Sequence, residues 1–388
     1  MLRFLTAGES HGPCLTAVVE GLPAGLEIAV EAINRELARR QGGYGRGGRM
    51  KIERDRVEIL GGVIAGRTTG APVALRIANR DWANWRDRWA ARDLPRLTVP
   101  RPGHADYAGM VKYGLDDARP VLERASARET AARVAVGALA KLLLAEFGIS
   151  VGSYVVEIGD VVADVPDLGA TGEARPQEVW TLAEASDVRC PDGEAAGRMR
   201  AAIDAAREAG DSLGGVLLVT ATGVPVGLGG HVHWERRLDA RLAAAVMSIP
   251  AIKGVEIGSA FENAQRPGTQ VHDEFEQVGK SANQQIGQGA SFPAVGRTSN
   301  RAGGIEGGMS NGQPIVVRAA MKPIPTTISP LRSVDLATGE PAATQYQRSD
   351  VCAVPAASVV AEAMVAWVLA QALVEKRGGD SLAEMKRG

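Results

Sequence analysis

Two rhythms of apolar and polar residues divide this chain. Residues 30 to 40, "VEAINRELARR", place Val30, Ile33 and Leu37 on one face of a helix that stops at Gly42. Arg39 and Arg40 therefore arrive together at its carboxyl end, where cations complement the helix dipole. A longer helix is predicted over 127 to 147, "ARETAARVAVGALAKLLLAEF", opened by Ser126 with Glu129 three residues on, the capping-box pattern. A third begins near Pro355 in "PAASVVAEAMVAWVLAQALVEK", where proline suits the first turn and mixed small and branched residues suit close packing. The last two read as buried. Between them the period shortens to that of strands in "VEILGGV", "PVALRI", "YVVEIGDVV", "GGVLLVTATGV", "GVEIGSA" and "PIVVRAAM", most of them close to turn signals.

The pattern also repeats. "EGLPAGL" is similar to "TGVPVGL" at 222 to 228, "GAPVALRI" to "GQPIVVRA", and "ERASARETAARVAVGALAKLLLAE" to "QRSDVCAVPAASVVAEAMVAWVLAQ", the three pairs in the same order. A gapped internal duplication follows as an expectation, with the "ERAS" and "QRSD" corners near a pseudo-twofold axis. No interdomain linker is visible, and residues 1–388 read as a single domain.

Composition narrows the picture. With 44 basic against 45 acidic side chains, attraction for an anion has to come from local clustering. Cys14, Cys190 and Cys352 have neither paired nor metal-like spacing, which suits a reducing compartment and gives no ground for structural zinc. The amino terminus lacks the long apolar core of a signal peptide, and the apolar run "VVAEAMVAWVLAQAL" is short and carries Glu362. A cytoplasmic protein with no membrane partner is expected.

One local cluster stands out. "RRQGGYGRGGRMKIE", residues 39 to 53, surrounds glycines with arginines, whose planar forks suit phosphate and carboxylate while glycine lets backbone amides approach. Its spacing is not that of a GxxxxGK[ST] phosphate loop. Glycine–arginine binding of RNA is the rival reading, against which stand 4% aromatics and a net charge of −1.

Of five histidines, His11 in "GESHGP" and His104 in "PRPGHAD" sit in turns of small residues, placed to move protons or to hold charge beside an anion. "HVHW", with His231 and His233, reads as a turn entering an amphipathic helix in preference to a metal site. Trp82, Trp85 and Trp89 read as a helical face packed on the core or on a neighbouring subunit. "RSD", ending at Asp350, either caps the following helix or carries a general base, and both readings stand at this stage.

"GESHGP", "RRQGGYGRGGRMKIE", "PRPGHAD", "RASARET", "GGIEGGMSNGQPIVVR", "MKPIPTT" and "QRSDVCAVPAA" together resemble chorismate synthase, in that family's order over nearly the whole chain. The resemblance implies an α+β fold, a helical core sandwiched between antiparallel β-sheets with two similar halves, assembled as a homotetramer. It implies a carbon–oxygen lyase that makes chorismate from 5-enolpyruvylshikimate 3-phosphate by anti 1,4-elimination of phosphate. The cofactor implied is reduced FMN, without net redox change, with NADPH as an indirect reductant.

Residue by residue, the resemblance gives Arg40, Arg46, Arg49 and Arg128 to the phosphate and carboxylates of the substrate or to the NADP phosphate. His11 would act on the departing phosphate, His104 would lie near flavin N1 and the C2 carbonyl, and Asp350 would lie near flavin N5 and help remove the C6 hydrogen. FMN would be held by Arg124, Ala125, Ser126, Pro250, Ala251, Gly307, Met321, Lys322, Pro323, Ile324, Pro325, Thr326 and Arg348. Ala125 stands where many relatives have serine and Pro250 where some have asparagine, each removing one polar contact. No appended reductase domain is read in the sequence, so electrons are expected from a separate flavin reductase.

Overall fold

The computed structural model describes residues 1–48, 53–165, 176–277, 283–286, 290–293, 295–347 and 349–387. A first antiparallel sheet contains β1 (Arg3–Ala7), β2 (Cys14–Glu20), β3 (Val57–Gly61) and β4 (Val73–Ala78) in the order β1-β2-β4-β3. Leu15, Ala17 and Val19 on β2 and Val73, Leu75 and Ile77 on β4 are buried, the period of two that puts one face of a sheet on a core. A second contains β5 (Ser150–Ile158), β6 (Val161–Val162), β7 (Gly215–Thr222), β8 (Ile252–Ile257) and β9 (Ile315–Met321) in the order β8-β9-β7-β5-β6.

Ten helices accompany the sheets among the described residues: α1 (Val30–Gln41), α2 (Arg86–Ala90), α3 (Asp106–Tyr113), α4 (Arg119–Ala125), α5 (Thr130–Ala145), α6 (Pro176–Ala185), α7 (Gly193–Glu208), α8 (Leu238–Met247), the single-turn α9 (Ala260–Asn263) and α10 (Val354–Arg377), before a last short helix at Leu382–Arg387. α5 packs on β2, α10 packs on β5 and β7, and the two helices pack on each other. The fold is thus mixed α and β, with helices layered between the two sheets.

The closest approach of α5 and α10 is made possible by Gly137. A Cβ there would lie 2.3 Å from Cβ and 2.6 Å from Cα of Ala363. Alanine normally improves a helix by up to ~1 kcal/mol over glycine, but here the clash has to move a whole buried helix. Gly137→Ala is therefore expected to lower stability by about 1–3 kcal/mol, read from the midpoint of urea unfolding. A more stable variant would mean that the interface is slack.

The predicted helices and strands form with shifted ends. Ser126 Oγ accepts the Arg128 amide at 3.3 Å, which opens a short 3-10 turn, Ala127–Glu129, ahead of α5. Glu129 does not complete the capping box; its carboxylate pairs with Arg133 at 2.8 Å. The β1–β2 hairpin and helices α6 and α7 have no counterpart in the sequence reading. α7 is capped by Asp192, whose side chain accepts the amides of Glu194 and Ala195 at 2.9 and 3.0 Å.

α10 is long and apolar enough to cross a membrane, yet its most apolar stretch is 89% buried inside the fold. At its centre Glu362 accepts from Arg39 at 2.8 and 3.0 Å, from the Ser153 hydroxyl at 2.7 Å and from Lys141, with Arg189 at 3.8 Å. Burial works to raise the Glu362 pKa, but Lys141 and Arg39 outweigh it and hold the carboxyl well below its usual range. This ion cluster ties α1, α5, β5 and α10 together.

Candidate active site

A cavity of about 780 Å³ opens where the turn after β1, the loop before α3, the start of α5, the segment after β9 and the amino end of α10 converge. That is within the range of small-molecule sites.

The turn between β1 and β2 carries His11. Gly8 holds φ +109° there, and a Cβ on it would lie 2.4 Å from the Cys14 carbonyl oxygen, so the turn needs glycine. Glu123, buried on α4, accepts the His11 amide at 2.7 Å and meets Nδ1 at 2.9 Å. With Nδ1–H donating to that carboxylate, Nε2 is left for the cavity. The Trp85 indole lies on the imidazole at 4.3 Å between ring centroids, with the Arg88 and Arg119 guanidiniums each 5.9 Å from the indole centroid. The three tryptophans thus do not share one face: Trp85 lines the cavity, while Trp82 and Trp89 pair edge to face at 5.7 Å. A 3-10 turn at Arg80–Asn84 followed by the short α2 breaks the helical spacing.

His104 occupies the opposite loop. Its Nδ1 meets Asp106 at 2.5 Å, and Asp106 also accepts the Arg101 guanidinium at 2.8 and 3.1 Å. Burial pushes the Asp106 pKa up, but hydrogen bonds from His104 and Arg101 prevail and hold it below the usual carboxylate range. Arg101 reaches Thr326 Oγ1 at 3.0 Å, and Lys322 Nζ donates to the Gly103 carbonyl at 2.9 Å, so "PRPGHAD" and "MKPIPTT" are latched. Burial, aided by Lys253, lowers the Lys322 pKa.

A cationic wall faces the histidines. Asp55 accepts from Arg128 at 2.6 and 2.7 Å and from Arg40 at 3.3 Å. Arg46 pairs with Asp350 at 2.9 Å, and Asp350 accepts the Gly47 amide at 2.6 Å. Gly47 is tight against the Ser349 carbonyl, 2.6 Å from where its Cβ would lie, so its backbone closes directly on Ser349 and Asp350. Burial first, then the charges of Arg128 and Arg46, lower the Arg40 pKa to about 10 against the pull of Asp55 and Asp350. Among the described residues Nε of Arg40 and Nη2 of Arg128 are buried with no hydrogen-bond partner, Nη2 lying 3.8 Å from the Glu53 carboxylate, and an anionic ligand would satisfy such donors.

Asn79 joins this wall to the His11 turn. Its amide donates to the carbonyls of Glu9 and Gly12 at 3.1 and 2.7 Å, while its oxygen accepts Arg128 Nε at 2.9 Å.

His11, His104, Asp350, Arg40, Arg46, Arg128, Arg124, Ala125, Ser126, Pro250, Ala251, Met321, Lys322, Ile324, Pro325 and Thr326 all line the cavity. Ala251 sits at φ +69°, a left-handed conformation costly for alanine, and its carbonyl accepts the Lys322 amide at 3.0 Å. Arg124 turns toward β1, donating to the Thr6 carbonyl and hydroxyl at 3.0 and 2.7 Å. Two expected residues do not line the cavity. Pro323 packs its backbone over Gly214, and Gly307 belongs to the tight turn between the paired strands Ile305–Glu306 and Met309–Ser310, where the neighbouring Gly308 lies against Arg237. Arg49 and Arg348 lie outside the described residues.

The sequence reading missed Glu123, Trp85, Arg101, Asp106, Arg119 and Asp55. Arg101 and Asp106, which flank His104 in "PRPGHAD", carried a local signal. His231 and His233 are exposed in a turn ahead of α8, and among the described residues no group of three or more His, Cys, Asp or Glu is placed to hold a metal ion.

A mixed α and β fold that gathers unsatisfied guanidinium donors and two histidine–carboxylate pairs around one cavity defines an enzyme acting on a small, multiply charged anion. Comparison with known proteins then specifies it. The chorismate synthase family profile matches residues 2–374. The chorismate synthase of Geobacter sulfurreducens is 58% identical over 392 residues, covering 100% of this chain and 97% of its own length. That of Chlorobaculum tepidum is 55% identical over 393 residues, at 100% and 96% coverage. A solved crystal structure of chorismate synthase superposes with a TM-score of 0.77 at 46% identity, covering 100% of this chain and 95% of that one. The chain belongs to the chorismate synthase family. Its activity is the lyase activity of that family, elimination of phosphate from 5-enolpyruvylshikimate 3-phosphate to give chorismate, the last common step of the shikimate pathway to the aromatic amino acids. The RNA-binding reading finds no support.

Proposed function

We propose that the cavity holds the substrate and reduced FMN together, the substrate against Arg40, Arg46 and Arg128, the cofactor along 124–126, 250–251 and 321–326. The observation that carries this reading is the convergence of Arg40, Arg46 and Arg128 on one cavity with both histidines, where, among the described residues, Arg40 Nε and Arg128 Nη2 have no hydrogen-bond partner. A substrate bearing one phosphate and two carboxylates satisfies such donors. When bound, reduced FMN lends electron density during loss of phosphate and of the non-acidic C6 hydrogen, and recovers it at the end.

The protein's own residues supply charge, orientation and proton transfer. The arginine wall neutralises the phosphate as it departs, and His11 Nε2 donates a proton to it. His104 and Lys322 set positive charge along the cofactor wall. Asp350 has acceptor capacity left beyond Gly47 and Arg46, enough to receive the proton lost from C6. Arg49, Arg348 and Gly307 complete ligand binding in this reading, Gly307 from outside the cavity of its own chain.

The first sheet and, leaving out the two-residue edge strand β6, the second run first, second, fourth, third (β1-β2-β4-β3 and β5-β7-β9-β8), each with a helix between its second and third strands. That shared order supports an internal duplication within one domain. A cytoplasmic homotetramer supplied by a separate flavin reductase, with NADPH as indirect reductant, completes the proposal.

Chorismate formation under strict anaerobiosis tests it. Product with chemically reduced FMN and none with oxidised FMN is the expected result, and folded protein inactive with both overturns it.

A further inference from the structure

Glu123 has no role in the reaction as described so far, yet it is the most engaged partner of His11. The carboxylate is 2% exposed, and its two oxygens are divided between the His11 amide at 2.7 Å and the His11 ring at 2.9 Å. The backbone repeats the connection, with the Ser10 amide donating to the Glu123 carbonyl at 3.0 Å. On one side of the ring, Trp85 lies 4.3 Å away between centroids, tilted by 40°.

An imidazole held at one nitrogen by a carboxylate and across its face by an indole has one orientation and one free nitrogen. We propose that Glu123 is the positioning residue of His11: it keeps the proton on Nδ1, so that Nε2 alone exchanges a proton in the cavity. In the protonated ring both nitrogens carry hydrogen. The Nε2 proton passes to an oxygen of the departing phosphate, the ring becomes the neutral Nδ1–H tautomer on Glu123, and Nε2 is reprotonated from water. Without the carboxylate the neutral ring is free to carry its proton on Nε2, and it can swing away from the leaving group. The inference rests on the proposed role of His11.

The test combines kinetics with a spectroscopic signature. Five histidines make the spectrum of ring-15N-histidine-labelled protein assignable by single substitutions. The neutral form of His11 is expected as the Nδ1–H tautomer, and an Nε2–H tautomer in the unsubstituted protein overturns the proposal before any variant is made. Glu123→Gln, assayed anaerobically with reduced FMN, is expected to lower kcat by at least about tenfold with KM changed less than about twofold. Glu123→Asp is expected to restore part of the loss, and the double variant His11→Ala/Glu123→Gln to be no slower than His11→Ala. If His11→Ala is inactive but Glu123→Gln turns over like the parent, or if the double variant loses the product of the two single effects, Glu123 does not act through His11. If His11→Ala is fully active, the reading of His11 itself fails.

Discussion

His11→Ala loses turnover by about 10²- to 10⁴-fold, the usual weight of a positioned proton donor, while FMN binding is retained. The physical ground is the division of the site. His11 contacts Glu123 and Trp85, whereas the 321–326 segment that is proposed to carry the cofactor is held by Arg101 and Gly103, and the adjoining 124–126 segment keeps its own bonds to Thr6 and Ser10. Truncation removes the imidazole, but the His11 amide still donates to Glu123, so the buried carboxylate is not stranded. The fold is expected to survive, and kcat, not FMN affinity, carries the effect. Anaerobic kinetics together with a flavin titration of the same preparation measure both quantities. Full activity would remove His11 from the mechanism, and loss of FMN binding would place it in the cofactor site instead.

Glu362→Gln is expected to cost about 3–5 kcal/mol of stability at neutral pH, the range for removing one partner of a buried ion pair. Among the described residues the substitution leaves Arg39, Lys141 and Arg189 with Glu36 and Glu184 as counter-charges, and the lost carboxylate is a buried one. Burial opposes the charge on Arg39 as well, and it is chiefly Glu362 that more than offsets this and raises the Arg39 pKa. Because the folded pKa of Glu362 is depressed, its contribution is fully present above the unfolded carboxylate value of about 4.3. The contribution is lost as pH falls from there through the lower folded value. The gap between parent and variant in urea unfolding should therefore be wide at pH ~7 and narrower at pH ~3.5. A constant gap would mean that folding does not depress the Glu362 pKa. Arg39 adjoins Arg40, so a loosened end of α1 should also weaken substrate binding.

Sequence and structure agree most where periodicity was strong. α1, α5 and α10 and the strands β3, β4, β5, β7, β8 and β9 follow from apolar spacing alone, because each buries one face or the whole element. The β1–β2 hairpin was not legible: β1 has no fully buried residue and leaves Leu5 78% exposed, so its alternation carries little hydrophobic signal. Helices α6 and α7 are alanine-rich and mildly amphipathic, and only Asp192 marked a start.

The chemistry divides in the same way. His11, His104, the arginines and Asp350 were readable because histidine and arginine among glycines and prolines are costly choices for a mere turn, and the family resemblance gave each a role. Their partners were not readable. Glu123 and Asp55 are ordinary residues in sequence, Arg101 and Trp85 stood only within a motif and a tryptophan run, and what distinguishes all four is that they are held within hydrogen-bond or ring-contact distance of a group far along the chain. Local pattern determined which elements form and which side chains are chemically equipped, because helix and strand periods and turn chemistry are properties of neighbours. Which carboxylate meets which histidine, and which arginine donors stay unsatisfied, was decided only by the packing of α5 against α10 and by the loops this brings together. The contact of His11 with Glu123 joins residues more than a hundred positions apart, and no local rule encodes it.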